Sequence, residues 1–71
     1  MIDTISFQNA VKDSGLKYGY IAKNLGVSTM TLYRKIHDDG KGKYEFKASE
    51  IVKLTELLNL TKAERDRIFL S

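Results

Sequence analysis

The sequence predicts an all-α fold, a compact domain of five helices. Three features point that way. Apolar residues recur at the i, i+3, i+4 spacing of a helix face in successive short segments. Glycines punctuate the chain at 15, 19, 26, 40 and 42, and proline is absent. Capping residues stand where those segments begin. At 71 residues the natural expectation is one domain spanning 1–71. A domain of that size buries only about 60% of the surface its unfolded chain exposes, so its core is thin.

The first helix is expected from Thr4 to Ser14, with Asp3 as N-cap and Phe7, Ala10 and Val11 on one face. Gly15 suits a left-handed residue past its end, and Leu16 follows where such an ending takes an apolar contact. The second runs from about Tyr18 to Leu25, with Ile21, Ala22 and Leu25 inward and Gly26 closing it. Ser28 caps the third, which continues through Ile36 to about Asp38. A polar, glycine-bearing loop, DDGKGKYEF, follows. The fourth helix spans about Ala48 to Leu58, with Ile51, Leu54 and Leu58 on one face. Thr61 and Glu64 have capping-box spacing, so a fifth should run from there to about Phe69.

Composition narrows the function classes. There is no cysteine and a single histidine, His37, which leaves no metal cluster and no nucleophile–base pair, so neither an enzyme nor a bound cofactor or metal is expected. No apolar run approaches the ~20 residues of a membrane span. The start, MIDTISFQNA, lacks a basic stretch followed by an apolar one, which predicts no secretory leader and a cytoplasmic location. No small-molecule ligand is evident. Net charge is +3, and its distribution says more than its size. Residues 17–47 carry seven Lys or Arg against three acids, whereas the flanking stretches are nearly balanced. A basic zone is the footprint of a phosphate-binding surface, although a solvated face without a partner has the same composition.

The stretch from Tyr18 to Ile36 has the logic of a helix-turn-helix. Ala22 is small where two helices must cross closely, Gly26 takes the turn, and Val27 with Leu32 plugs the angle between them. Turning the third helix at about 100° per residue with Leu32 inward puts Ser28, Lys35 and Ile36 within about 60° of it. Met30, Arg34 and His37 then face outward, Tyr33 and Thr31 stand at the sides, and Thr29 lies at the exposed N-terminal end.

The segment IAKNLGVSTMTLYRKI resembles the helix-turn-helix of the phage Cro and repressor family, the lambda-repressor-like or xenobiotic-response-element type. The resemblance rests on Ile21, Ala22, Leu25, Gly26, Val27, Ser28 and Leu32. It extends more loosely over the chain, where GKGKYEFKASEIVKLTELLNLTKAE is similar to the second half of small phage-encoded members. Lys17 stands where the family often has a capping Ser or Thr, and Ile36 lies four residues after Leu32 where the family usually spaces three.

The resemblance implies a sequence-specific duplex-DNA-binding regulator, a repressor or Cro-like protein, reading the major groove with its third helix. Its base-reading positions fall on Thr29, Met30, Tyr33 and Arg34, in agreement with the outward face apart from Thr29's marginal angle. Arg34 suits guanine O6 and N7, and Met30 a thymine methyl. Tyr18 matches a phosphate-contacting position of the family. Lys17 and Ser28 near it, and Lys35, Lys41 and Lys43 across the groove, complete the expected phosphate contacts. A homodimer on half-sites about 34 Å apart is expected, since one such domain spans few base pairs. The apolar tail Ile68, Phe69 and Leu70 is the candidate interface, against the plainer reading that it closes the core. Tyr20 and Tyr44 are expected to pack, and Tyr33 to contact DNA. The alternative is a protein-interaction module on the same fold, an antirepressor or antitoxin-like partner. Arg34 with hydroxyls favours DNA, because a protein-binding face would be more apolar.

Overall fold

The first helix begins where its cap can close it. In the computed structural model, which describes residues 2–37 and 44–70, the Asp3 carboxylate accepts from the Ser6 backbone N–H at 3.1 Å and from the Ser6 hydroxyl at 2.7 Å. These bonds hold the Asp3 carboxyl below the usual carboxylate range, the hydroxyl contributing most. α1 (Thr4–Ser14) ends at Gly15, which sits in the left-handed region at φ 74°. There the Ser14 hydroxyl donates to the Val11 carbonyl and accepts from the Leu16 N–H, so that Leu16 turns toward the core.

α2 (Tyr18–Leu25) ends at Gly26, also left-handed, with the Val27 N–H returning to the Ala22 carbonyl at 3.0 Å. Only Gly26, Val27 and Ser28 separate it from α3 (Thr29–Ile36). The Ser28 hydroxyl caps α3 by accepting from the Thr31 N–H at 3.1 Å. α3 ends two residues short of the expected Asp38, with His37 at the C-cap. The last helical carbonyl, that of Ile36, accepts from the Thr4 hydroxyl at 3.0 Å, so the end of α3 is tied to the start of α1.

α4 (Ala48–Leu57) closes without glycine: Asn59 adopts φ 53°, and the Leu60 N–H reaches back to the Thr55 carbonyl at 2.9 Å. Asparagine tolerates this conformation better than most side chains. α5 (Lys62–Phe69) opens on the expected capping box, with Thr61 and Glu64 exchanging both bonds. The Glu64 carboxyl is accordingly held below its ordinary value, chiefly by the Thr61 backbone N–H.

All five helices of the described residues contribute to one core. Phe7, Ile21, Leu32, Ile36 and Leu54 are fully enclosed, joined by Val11, Ala22, Leu58 and Ile68. α2 lies against α3 and α4, and α5 against α1 and α4. The result is all-helical, about 27 × 25 × 21 Å, with no strand among the described residues. Phe7, Phe46 and Phe69 form a three-ring cluster with centroids 5.6–6.2 Å apart, one pair stacked and two edge-on.

That cluster bears on the expectation for the tail. Ile68 is buried and Phe69 is half-buried against two other rings, so both help close the core. Of the three tail residues only Leu70 is exposed, at 75%. The Ile68 carbonyl is also used, accepting from the Asp3 N–H at 2.8 Å.

Candidate functional site

The inward side of α3 is fixed first. Leu32 and Ile36 fill the core, and Lys35, one helical step from Leu32, turns inward with them. Its ammonium pairs with Glu50 Oε1 at 3.1 Å and donates to the Glu45 carbonyl at 3.1 Å, with 9% and 10% of the two side chains exposed. The same Glu50 oxygen accepts from the Lys47 N–H at 2.8 Å and so closes the first turn of α4. The Lys35 ammonium nitrogen also lies over the Phe46 ring, 5.7 Å from the centroid. Lys35 is therefore removed from the expected phosphate-contacting set, because its charge is spent inside the protein. Sequence spacing had no means of pairing residues fifteen apart across a polar loop.

With that side held, α3 presents the opposite one. Met30 is 62% exposed and Tyr33 45%, and Thr29, Arg34 and His37 are exposed as well. This is the outward face that helical geometry predicted, and it brings Thr29, Met30, Tyr33 and Arg34 to one surface. At about 1.5 Å per residue, an eight-residue α3 is roughly 12 Å long.

Aromatic contacts order this surface. Tyr18, from the first turn of α2, stacks on Tyr33 with centroids 5.3 Å apart and planes 26° from parallel. Tyr33 in turn lies 6.4 Å from the His37 ring at 17°. Burial pushes the Tyr18 phenol above its ordinary pKa, and the neighbouring Tyr33 phenol adds to it. Tyr18 thus keeps its proton and remains a hydrogen-bond donor at neutral pH. The Arg34 guanidinium sits over the Tyr44 ring, 5.6 Å from its centroid. The role of Tyr44 and the Tyr18–Tyr33 stack went unseen in the sequence, since a wheel for one helix carries no information about rings arriving from elsewhere.

The remaining expected contacts divide. Lys17 is exposed at the N-cap of α2 and makes no side-chain cap bond. Ser28 is exposed, but its hydroxyl accepts from the Thr31 N–H and donates to the Thr31 hydroxyl at 3.0 Å. Lys41 and Lys43 lie outside the described residues, as do Asp38 and Asp39. Tyr20, expected to pack, is 51% exposed. Tyr44 is half-buried. Thr29 lies close to α2, where a Cβ added at Gly19 would sit 3.8 Å from its hydroxyl.

Away from α3, a shallow groove of about 150 Å³ between α1 and α5 is lined by Ser6, Asn9, Asp13, Glu64 and Arg67 among others. Among the described residues, no group of three or more His, Asp or Glu side chains is placed to hold a metal ion. No described helix is long and apolar enough to cross a membrane. Comparison with protein-family models, with curated proteins and with solved structures finds no match.

Proposed function

We propose that this chain is a sequence-specific duplex-DNA-binding regulator of the lambda-repressor-like helix-turn-helix type, a repressor or Cro-like protein, with α2 and α3 as the DNA-binding unit. One observation carries the reading. α3 is locked on its inward side by Leu32, Ile36 and the buried Lys35–Glu50 pair, and its outward side gathers Thr29, Met30, Tyr33 and Arg34 with mixed hydrogen-bonding and apolar character. That combination suits base edges, which offer donors, acceptors and the thymine methyl. An α-helix, about 10–12 Å across with its side chains, also fits a major groove about 12 Å wide.

Phosphates then orient the domain from the side. Tyr18 and Lys17 stand together at the start of α2, where the absence of a side-chain cap leaves first-turn N–H groups open to an anion. Lys41 and Lys43, the other expected phosphate contacts, follow α3 in the sequence and lie outside the described residues. Arg34 serves as the guanine-reading group, and Met30 as the apolar contact to a thymine methyl.

A protein-interaction module on the same fold is the second reading. It is favoured by the exposure of Met30 on α3 and of Tyr20 on the adjoining helix, which adds apolar surface nearby. An electrophoretic shift with random and genomic duplexes at two salt concentrations separates the two. With Lys35 withdrawn, three to five phosphate contacts remain on offer, and the log–log salt slope should be about −3 to −4.5. Lack of binding at low salt favours the protein partner.

A further inference from the structure

Arg34 is the group on α3 with the most hydrogen-bonding capacity, and what holds it decides what it can do. Among the described residues no carboxylate pairs with it. Its guanidinium rests instead on the Tyr44 ring at 5.6 Å, inside the ~6 Å range of a cation–π contact. The difference matters chemically. A carboxylate would occupy the planar fork of N–H donors, whereas a ring face attracts the cation through its π-electrons and leaves the in-plane donors open.

Tyr44 is itself well placed. The next residue, Glu45, gives its carbonyl to the Lys35 ammonium at 3.1 Å. Two residues on, Phe46 stacks on Phe7 in the core at 5.9 Å. The segment bearing Tyr44 is thus fastened to α3 through Lys35, the residue after Arg34. One side chain of α3 anchors the segment from within, and the preceding side chain lies on its ring outside.

We infer that Tyr44 is a specificity-determining positioning residue, which holds the Arg34 guanidinium in place with its donor fork free for a planar pair of acceptors, the O6 and N7 edge of guanine. This inference rests on the duplex-reading function proposed above. It assigns Tyr44 no contact with DNA. Its effect lies in reducing the conformations that Arg34 must give up on binding. A cation–π contact at an exposed site is worth about two- to fivefold in an equilibrium constant.

The test has two arms, one without DNA. In the free protein, NMR should show the Arg34 side-chain protons displaced by the Tyr44 ring current. The displacement should persist in Tyr44→Phe and vanish in Tyr44→Leu, with the melting curve of Tyr44→Leu as a check on folding. For the second arm, a duplex is selected from a random library with the wild-type protein. Its affinity is compared with that of the same duplex carrying 7-deazaguanine, which lacks N7, at each guanine in turn. Wild type and Tyr44→Phe should lose affinity at one guanine, and Tyr44→Leu should lose about two- to fivefold less there. In an Arg34→Ala background Tyr44→Leu should add nothing.

An undisplaced Arg34 signal overturns the positioning role whatever the DNA arm shows. A displaced signal with no guanine sensitive to 7-deaza substitution makes Arg34 a phosphate contact and overturns the guanine assignment. If the wild type enriches no duplex at all, the DNA-reading function fails, and the specificity role of Tyr44 with it.

Discussion

Replacing Glu50 by Leu should be among the most damaging single changes outside the apolar core. In the wild type one carboxylate oxygen serves two donors, the Lys35 ammonium at 3.1 Å and the Lys47 N–H at 2.8 Å. Without it the Glu45 carbonyl is the one hydrogen-bond acceptor left to the ammonium among the described residues, with 9% of its side chain in contact with water. Breaking one half of a buried pair costs about 3–5 kcal/mol, because the charge left behind is desolvated and unbalanced. At roughly 0.05–0.15 kcal/mol per residue, the whole domain has only about 4–11 kcal/mol of stability to lose. In a domain of this size each kcal/mol moves Tm by about 4–8 °C, so the expected fall is at least about 12 °C. Far-UV circular dichroism during heating and urea titration measures it. The double variant Lys35→Met/Glu50→Leu removes both charges and should recover most of the loss, since apolar replacements of buried pairs are often neutral or stabilising. A single-variant cost below about 1 kcal/mol, the value of an exposed pair, would refute the reasoning, as would a double variant less stable than the single.

Arg34→Ala should cost about 1–3 kcal/mol on a selected duplex and relax choice at one base pair, whereas Lys17→Ala should weaken selected and random duplexes alike and reduce the salt slope by about one; competition binding with both duplexes reads the two ratios. Phe69→Ala should destabilise by about 2–4 kcal/mol in urea titration, because it removes two edge-on ring contacts from a partly buried site, while Leu70→Ser, at a 75% exposed position, should change stability little. Asp3 and Glu64 both have carboxyls held below their ordinary values in the folded chain, so the stability they contribute is present above the unfolded carboxylate range and is lost as pH falls through the folded values. Tm should therefore hold near neutrality and decline below about pH 4, with a shallower decline in Asp3→Asn.

Local chemistry was the legible part of this chain. Asp3, Ser28 and the Thr61–Glu64 box place helix starts to the residue, because a cap is made by side chains within three positions of the backbone they satisfy. The inward and outward sides of α3 followed from its period alone. Asn59, left-handed at the end of α4, is a weaker signal than a glycine there, because asparagine is as common in ordinary turns as in this conformation. Non-local chemistry was not legible. Phe46 sits in a polar stretch with no periodicity to mark it, yet it joins the ring cluster of the core. Glu50 has the look of an exposed first-turn acid and is instead the partner of Lys35, which sequence reasoning had sent to the phosphates. The rings that order the outward face of α3, Tyr18 and Tyr44, come from outside that helix, so its period carries no sign of them.

In the proposed function DNA meets the outward face of α3 and the start of α2. Amide chemical-shift mapping during titration with a duplex at low salt tests it most directly. The largest changes should fall across Thr29–Arg34 and at Lys17 and Tyr18, with Asn9, Asp13 and Glu64 in the α1–α5 groove nearly unmoved. Changes concentrated in that groove, or none at low salt, would contradict it.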